Sequence, residues 1–188
     1  MKNKEDNRKW KTLKSEVIIS RPPWLTVRHD EVELPDGRVN PAFYVLEYPD
    51  WVNVIAITEE GKFVMEKQYR YGLGETCTEI CAGVIEKGED PETAGRRELE
   101  EETGYVGGTW RKFMTISGNP STTNNLTHCF LATGVKPSGK RHLDATEDLE
   151  VFLMEEAEVL ELLKRDEVRQ SLMAAPLWKY FAEKKCGI

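Results

Sequence analysis

The sequence predicts an α/β protein: a mixed β-sheet held between helices, preceded by a small N-terminal antiparallel β-meander. Three observations point there. Segments of alternating β-branched and aromatic residues fall both before and after a short helix whose two ends are marked; the first three of these segments are separated by proline and glycine turns; and two helical stretches close the chain. With 188 residues the chain is long enough for one domain with a sizeable core.

Residues 1–9 are polar and predict a flexible tail. Residues 10–50 carry the meander, with strand patterns at Ser15–Ser20, Leu25–Leu34 and Ala42–Tyr48 and turns at Arg21-Pro22-Pro23 and Pro35-Asp36-Gly37. So small a meander is better buried against a partner than left alone, which makes it the expected dimerisation region. Residues 51–188 form the main domain. There, Asn53–Ile57 and Lys62–Arg70 pair across Thr58-Glu59-Glu60-Gly61, and Thr78–Ala82 runs straight into Gly83. Strand candidates follow at Trp110–Ile116, His128–Thr133 and Glu150–Met154. A helix spans about 155–165 with Leu160 and Leu163 inward, and a last helix ends near Lys184. Pro176 either starts that helix or kinks it.

The segment from Gly83 to Tyr105 carries the chemistry. Gly83 and Gly88 bracket a loop, Asp90 is a good N-cap, Pro91 suits the first helical position, and Gly104 supplies the left-handed stop, so Pro91–Thr103 is one short helix. Its carboxylates at Glu98, Glu101 and Glu102 share a face, because residues three and four apart on a helix lie roughly 5–6 Å from each other. Two unit charges about 4 Å apart repel by roughly 4 kcal/mol at an effective dielectric near 20. A sheltered face of this kind needs a cation. Magnesium or manganese suits it, since hard divalent ions take carboxylate oxygens and keep positions for a phosphate ligand.

These residues fit the Nudix box: Gly83, Glu89, Arg97, Glu98, Leu99, Glu101, Glu102 and Gly104 stand at its specified positions, and Tyr105 replaces the usual final aliphatic residue. The chain thus resembles the Nudix hydrolases. The resemblance implies an α/β/α sandwich with a mixed sheet, metal ligation by Glu98, Glu101, Glu102 and the Ala82 carbonyl, and a supporting ion pair between Glu89 and Arg97. Three features resemble the ADP-ribose pyrophosphatase group. A strand region precedes the core, Gln68-Tyr69-Arg70 stands where that group has an Arg that contacts a phosphate, and Pro120 follows Tyr105 by fifteen residues. In the loop near Leu143–Val151, Glu147 matches a further metal-ligand position. The base position two residues earlier is Ala145, which leaves Asp144, Asp148 or a box glutamate to activate water.

The resemblance implies metal-dependent hydrolysis of a nucleoside diphosphate linked to another moiety, with ADP-ribose leading. Another nucleotide sugar such as GDP-mannose, or a regulator that binds such a nucleotide without turnover, are the alternatives. Glu101, Glu102 and Asp148 are the catalytic candidates; Arg70, Trp24, Trp51 and Pro120 are those for substrate. For both tryptophans a core position is the commoner fate of the residue type. His128, in an apolar strand, is expected to pack in the core.

A net charge of -7, from 33 acidic and 26 basic residues, argues against nucleic-acid binding, which needs clustered Lys and Arg. The lack of any long apolar run argues against a membrane span, and the polar start has no secretory pattern, so a cytoplasmic location and a homodimer are expected. Cys77, Cys81, Cys129 and Cys186 lack zinc-site spacing and are expected to be reduced packing residues.

Overall fold

The computed structural model describes residues 6–22, 24–143 and 147–187. These fall into two compact units, Met1–Tyr48 with Asn119–Asn125, and Pro49–Gly118 with Leu126–Ile188.

The first unit is a three-stranded antiparallel sheet in the order β1 (Lys11–Arg21), β2 (Leu25–Glu33), β3 (Val39–Glu47). The Pro35-Asp36-Gly37 segment turns between β2 and β3, where Leu34 N donates to Arg38 O at 2.8 Å and Gly37 N to Leu34 O at 2.9 Å. Asp30 is buried in β2 and is satisfied by Ser15 Oγ at 2.6 Å and Arg28 Nε at 2.9 Å, so its charge has the partners burial demands. Strand β1 is exposed along its whole length, with Leu13, Val17, Ile18 and Ile19 outward. Trp24, a substrate candidate, is 62% exposed in the turn between β1 and β2 and so does not take the core position commoner for its type. Segment 119–125 joins this unit through β3, with Leu46 N donating to Thr122 O at 2.7 Å and Tyr48 N to Asn124 Oδ1 at 3.3 Å.

The second unit is built on a seven-stranded mixed sheet. Its main path runs β10 (Leu149–Met154), β5 (Phe63–Arg70), β4 (Trp51–Thr58), β9 (Thr127–Pro137), β8 (Tyr105–Ile116); β6 (Glu75–Glu79) pairs with β5 and β7 (Ala82–Val84) with β4. The β4–β9 pair is parallel, and the other pairs are antiparallel. Strand β4 is buried from Val52 to Thr58, as expected for a strand covered on both faces. Its alternation sorts the core: Ile55 and Ile57 join a cluster with Val159, Leu163, Met173 and Leu177, whereas Val52, Val54 and Ala56 join one with Ala94 and Leu99. Helices α2 (Glu156–Lys164) and α3 (Ser171–Cys186) therefore cover one face and α1 (Pro91–Glu98) the other, an α/β/α sandwich. In α2 the residues that face inward are Val159 and Leu163; Leu160, expected inward, is only partly buried because it lies one position off that stripe.

Pro176 lies inside α3 and is buried. A proline there cannot donate to the carbonyl four residues back. That carbonyl, Leu172 O, instead accepts from Asn53 Nδ2 at 2.6 Å, so a side chain of β4 replaces the missing backbone bond. All four cysteines are free thiols; Cys77, Cys81 and Cys129 are buried, whereas Cys186 is exposed at the end of α3, where no packed neighbour layer remains. His128 is not sealed in the core: its Nε2 is 3.3 Å from Asp50 Oδ2 and its Nδ1 is 3.3 Å from Lys112 Nζ.

Candidate functional site

The box helix is built as two pieces. Asp90 caps α1, its Oδ2 accepting from Glu92 N and Thr93 N at 3.1 Å each. After Glu98 the backbone widens into a π-helical turn, Leu99–Thr103, which ends at Gly104 with φ 72°. The expected single α-helix over 91–103 is thus an α-helix followed by a π turn. The carbonyls near its end are taken by the next loop: His142 N donates to Glu101 O at 3.0 Å, and Arg141 Nε to Glu102 O at 2.5 Å.

The turn separates the three glutamates by environment. Glu102 is buried, 6% exposed, and its Oε2 accepts from Ala82 N at 3.1 Å. The Glu98 carboxylate lies directly over Gly83. A Cβ built on Gly83 would come within 2.0 Å of Glu98 Cδ, so only glycine allows this approach. Glu101 is the most exposed of the three, its side chain 42% accessible.

Arg97 ties the group together from outside. It donates to both oxygens of Glu89 at 3.0 Å, to Glu98 Oε1 at 2.9 Å, to Glu101 Oε2 at 3.0 Å and to Val84 O at 3.1 Å. The Arg97 guanidinium holds the Glu89 carboxyl below its ordinary range, while burial pushes Glu98 up against the pull of Arg97. Glu102 has no such guanidinium. Burial first, with repulsion from Glu98 and Glu147, raises it to about 7 although the Cys81 thiol and the Ala82 N–H both donate to it. Glu147 therefore stands near enough for its charge to act on both Glu98 and Glu102. Asp148 is exposed beside it. Asp144 and Ala145, weighed for the base, lie outside the described residues.

Arg70, at the end of β5, grips buried Glu79 through Nε at 3.0 Å and Nη2 at 2.5 Å, so it is not a loose surface arginine. Trp51 opens β4 half-buried, with its Nε1 buried and unpartnered among the described residues. Trp24 and Pro120 are both exposed and both belong to the N-terminal unit. The structure thus gathers Ala82, Gly83, Glu89, Arg97, Glu98, Glu101, Glu102 and Glu147.

Glu66 escaped the sequence reading. It is 5% exposed on β5, in register with Glu79 of β6, and its Oε1 has no hydrogen-bond partner among the described residues. Burial, then Glu102 and Glu79, push its carboxyl well above the ordinary range. The signal was the alternation of β5: Val64, Glu66, Gln68 and Arg70 share the face on which Val64 packs in the α1-side cluster.

The NUDIX domain model matches residues 47–175, and the model for the N-terminal domain of nucleoside diphosphate sugar hydrolases matches residues 10–46. An ADP-ribose pyrophosphatase of Bacillus subtilis (strain 168) is 38% identical over 84% of this chain and 85% of its own length. A methanol dehydrogenase activator of Bacillus methanolicus is 36% identical over 86% of each chain. A crystal structure described as an ADP compounds hydrolase superposes with a TM-score of 0.83 over 98% of both chains at 20% identity, which shows a shared fold.

Proposed function

The chain belongs to the NUDIX family and is a Nudix pyrophosphohydrolase, and on that premise we propose that it hydrolyses ADP-ribose to AMP and ribose 5-phosphate. The observation that carries this reading is the seating of Glu98 over Gly83 beside buried Glu102, where burial and neighbouring carboxylates push both groups up. The Bacillus subtilis relative, named for ADP-ribose, supports the choice of substrate.

The donor set fits magnesium or manganese, because Glu98, Glu102, Glu101, Glu147 and the Ala82 carbonyl offer hard oxygen ligands. When bound, such ions neutralise the diphosphate and stabilise charge on the attacking and leaving oxygens. The protein's own groups do the rest. Gly83 keeps the floor flat, so that Glu98 reaches its place. Arg97 and Glu89 hold the box helix in register against the loop. Arg70, fixed by Glu79, presents its guanidinium to a phosphate oxygen. A carboxylate base, Asp148 or the exposed Glu101, takes the proton of the water that attacks one phosphorus. The bridging P–O bond breaks, and two phosphorylated products leave.

Trp24 and Trp51 are the candidates for stacking the base, and Pro120 for shaping the substrate loop. We take the assembly to be a homodimer through the N-terminal strands, a reading supported by the apolar residues exposed along β1. No helix among the described residues is long and apolar enough to cross a membrane, in keeping with a cytoplasmic substrate.

The test is product analysis with ADP-ribose, ADP-glucose, GDP-mannose, NADH and diadenosine polyphosphates, each with magnesium, manganese or chelator. Metal-dependent release of AMP from ADP-ribose is expected. Preference for GDP-mannose would move the substrate, and tight binding without turnover of any would make the protein a nucleotide-sensing regulator.

A further inference from the structure

Beneath the box helix lies a second group of donors that the hydrolysis reading uses only in part. Glu66 on β5, Cys81 in the link between β6 and β7, and Glu102 each place one ligand atom within 4.8 Å of the other two. All three are buried, at 5%, 1% and 6% exposed. Glu66 brings an oxygen with no hydrogen-bond partner among the described residues. Among the described residues, the nearby guanidinium groups are engaged elsewhere. The Arg141 guanidinium donates to Glu102 O and Leu149 O, and Arg70 to Glu79. Two carboxylates and a thiol thus share a buried place in which an uncompensated carboxylate is costly.

We propose that Glu66, Cys81 and Glu102 form a binding site for one thiophilic divalent cation, zinc or cadmium, distinct from the magnesium site but sharing Glu102 with it.

The chemistry of the donors selects the ion. Magnesium takes oxygen ligands and holds several waters, whereas this group includes a sulfur donor. A thiolate with carboxylates suits zinc, at about 2.3 Å to sulfur and 2.0–2.2 Å to oxygen. Around one tetrahedral ion such ligands stand about 3.5 Å apart. The donors therefore need to close by little more than ~1 Å. Before the ion enters, the Cys81 thiol donates to the Glu102 carboxylate. Binding forms a metal–sulfur bond and releases the thiol proton, with any proton on Glu66, to the buffer. Because Glu102 cannot serve both ions in full, a zinc ion here draws it from the face where Glu98 stands, and turnover falls.

The experiment uses the full chain, stripped with chelator and without substrate, titrated with cadmium and followed by thiolate-to-cadmium charge-transfer absorption. One equivalent should saturate the band. Cys81→Ala should abolish it, while Cys77→Ala, Cys129→Ala and Cys186→Ala keep it. Glu66→Gln, which leaves the thiol in place, should weaken zinc and cadmium binding by at least the roughly 10–100-fold that loss of an outer-shell partner costs. A band that persists in Cys81→Ala, no stoichiometric band at all, or an unchanged affinity in Glu66→Gln overturns the site. A second arm rests on the hydrolase reading: zinc should inhibit turnover in magnesium, and Cys81→Ala should relieve that inhibition. Binding without inhibition would overturn the sharing of Glu102 and leave the hydrolase reading untouched; the binding arm stands whether or not any substrate is turned over.

Discussion

Replacing Glu102 by glutamine should make the metal-free protein more stable and the enzyme inert. The Glu102 carboxyl is raised from 4.5 to about 7, by burial first and then by Glu98 and Glu147. The folded state therefore binds this proton more tightly than the unfolded state does. The associated stability is fully present below pH 4.5 and is lost as pH rises through 7. At about 1.4 kcal/mol per pH unit, this one group contributes about 3 kcal/mol that is present near pH 4 and lost by pH 8 in the metal-free protein. Glutamine removes the charge at almost no change in volume. Its carbonyl can still accept from Ala82 N. In chelator at pH 8 the variant should melt roughly 6–12 °C above the parent, by the usual conversion for a chain of this size. At pH 4.5 the gap should largely close, and saturating magnesium should raise the parent alone. The assay is thermal unfolding by far-UV circular dichroism across that pH range, beside turnover of ADP-ribose. A variant no more stable than the parent at pH 8, or a gain that persists unchanged at pH 4.5, would refute the electrostatic reasoning. A variant that keeps most of its turnover would remove Glu102 from the metal ligands.

Gly83→Ala should cost most of the activity and weaken magnesium binding seen by calorimetry, because its Cβ would take the place of the Glu98 carboxyl; near-normal magnesium affinity would count against the seating of Glu98. Arg97→Gln leaves Glu89 and Glu98 without their guanidinium and should cost about 2 kcal/mol in urea unfolding, below the cost of breaking a fully buried pair because Arg97 is partly exposed. Asn53→Ala should cost about 1–3 kcal/mol by orphaning Leu172 O. Adding Pro176→Ala restores a backbone donor, so the double variant should lose less than the two single losses together; strict additivity would refute that substitution of side chain for backbone.

Much of the box was readable because its signals are local. Asp90, Pro91 and Gly104 mark the helix ends by their own conformational preferences, and the charges between them repeat at helical spacing. The π turn was not readable, since it depends on carbonyls captured by His142 and Arg141 from a loop some forty residues away. Pro176 stayed ambiguous for the same reason, its compensating donor lying on β4. Strand β8 begins at Tyr105, earlier than the expected Trp110: Gly107, which pairs with Val135, and Gly108 lie within it at φ 76° and 75°. Glu66 lies outside the box, at a strand position that no motif marks. Read by alternation alone, β5 already placed a carboxylate on an inward stripe.

Segment 119–125 has a consequence for how the protein is made. The N-terminal sheet is encoded first, yet the strip that bonds Leu46 and Tyr48 of its unit is translated more than seventy residues later. On the ribosome the unit must wait, with the rim of β3 bare, until most of the sheet of the second unit has emerged. It also cannot be lent to another protein as a single cassette. A graft that ends at Tyr48 leaves that rim behind unprotected, and a chimera that carries both segments must bring a scaffold able to hold them in place.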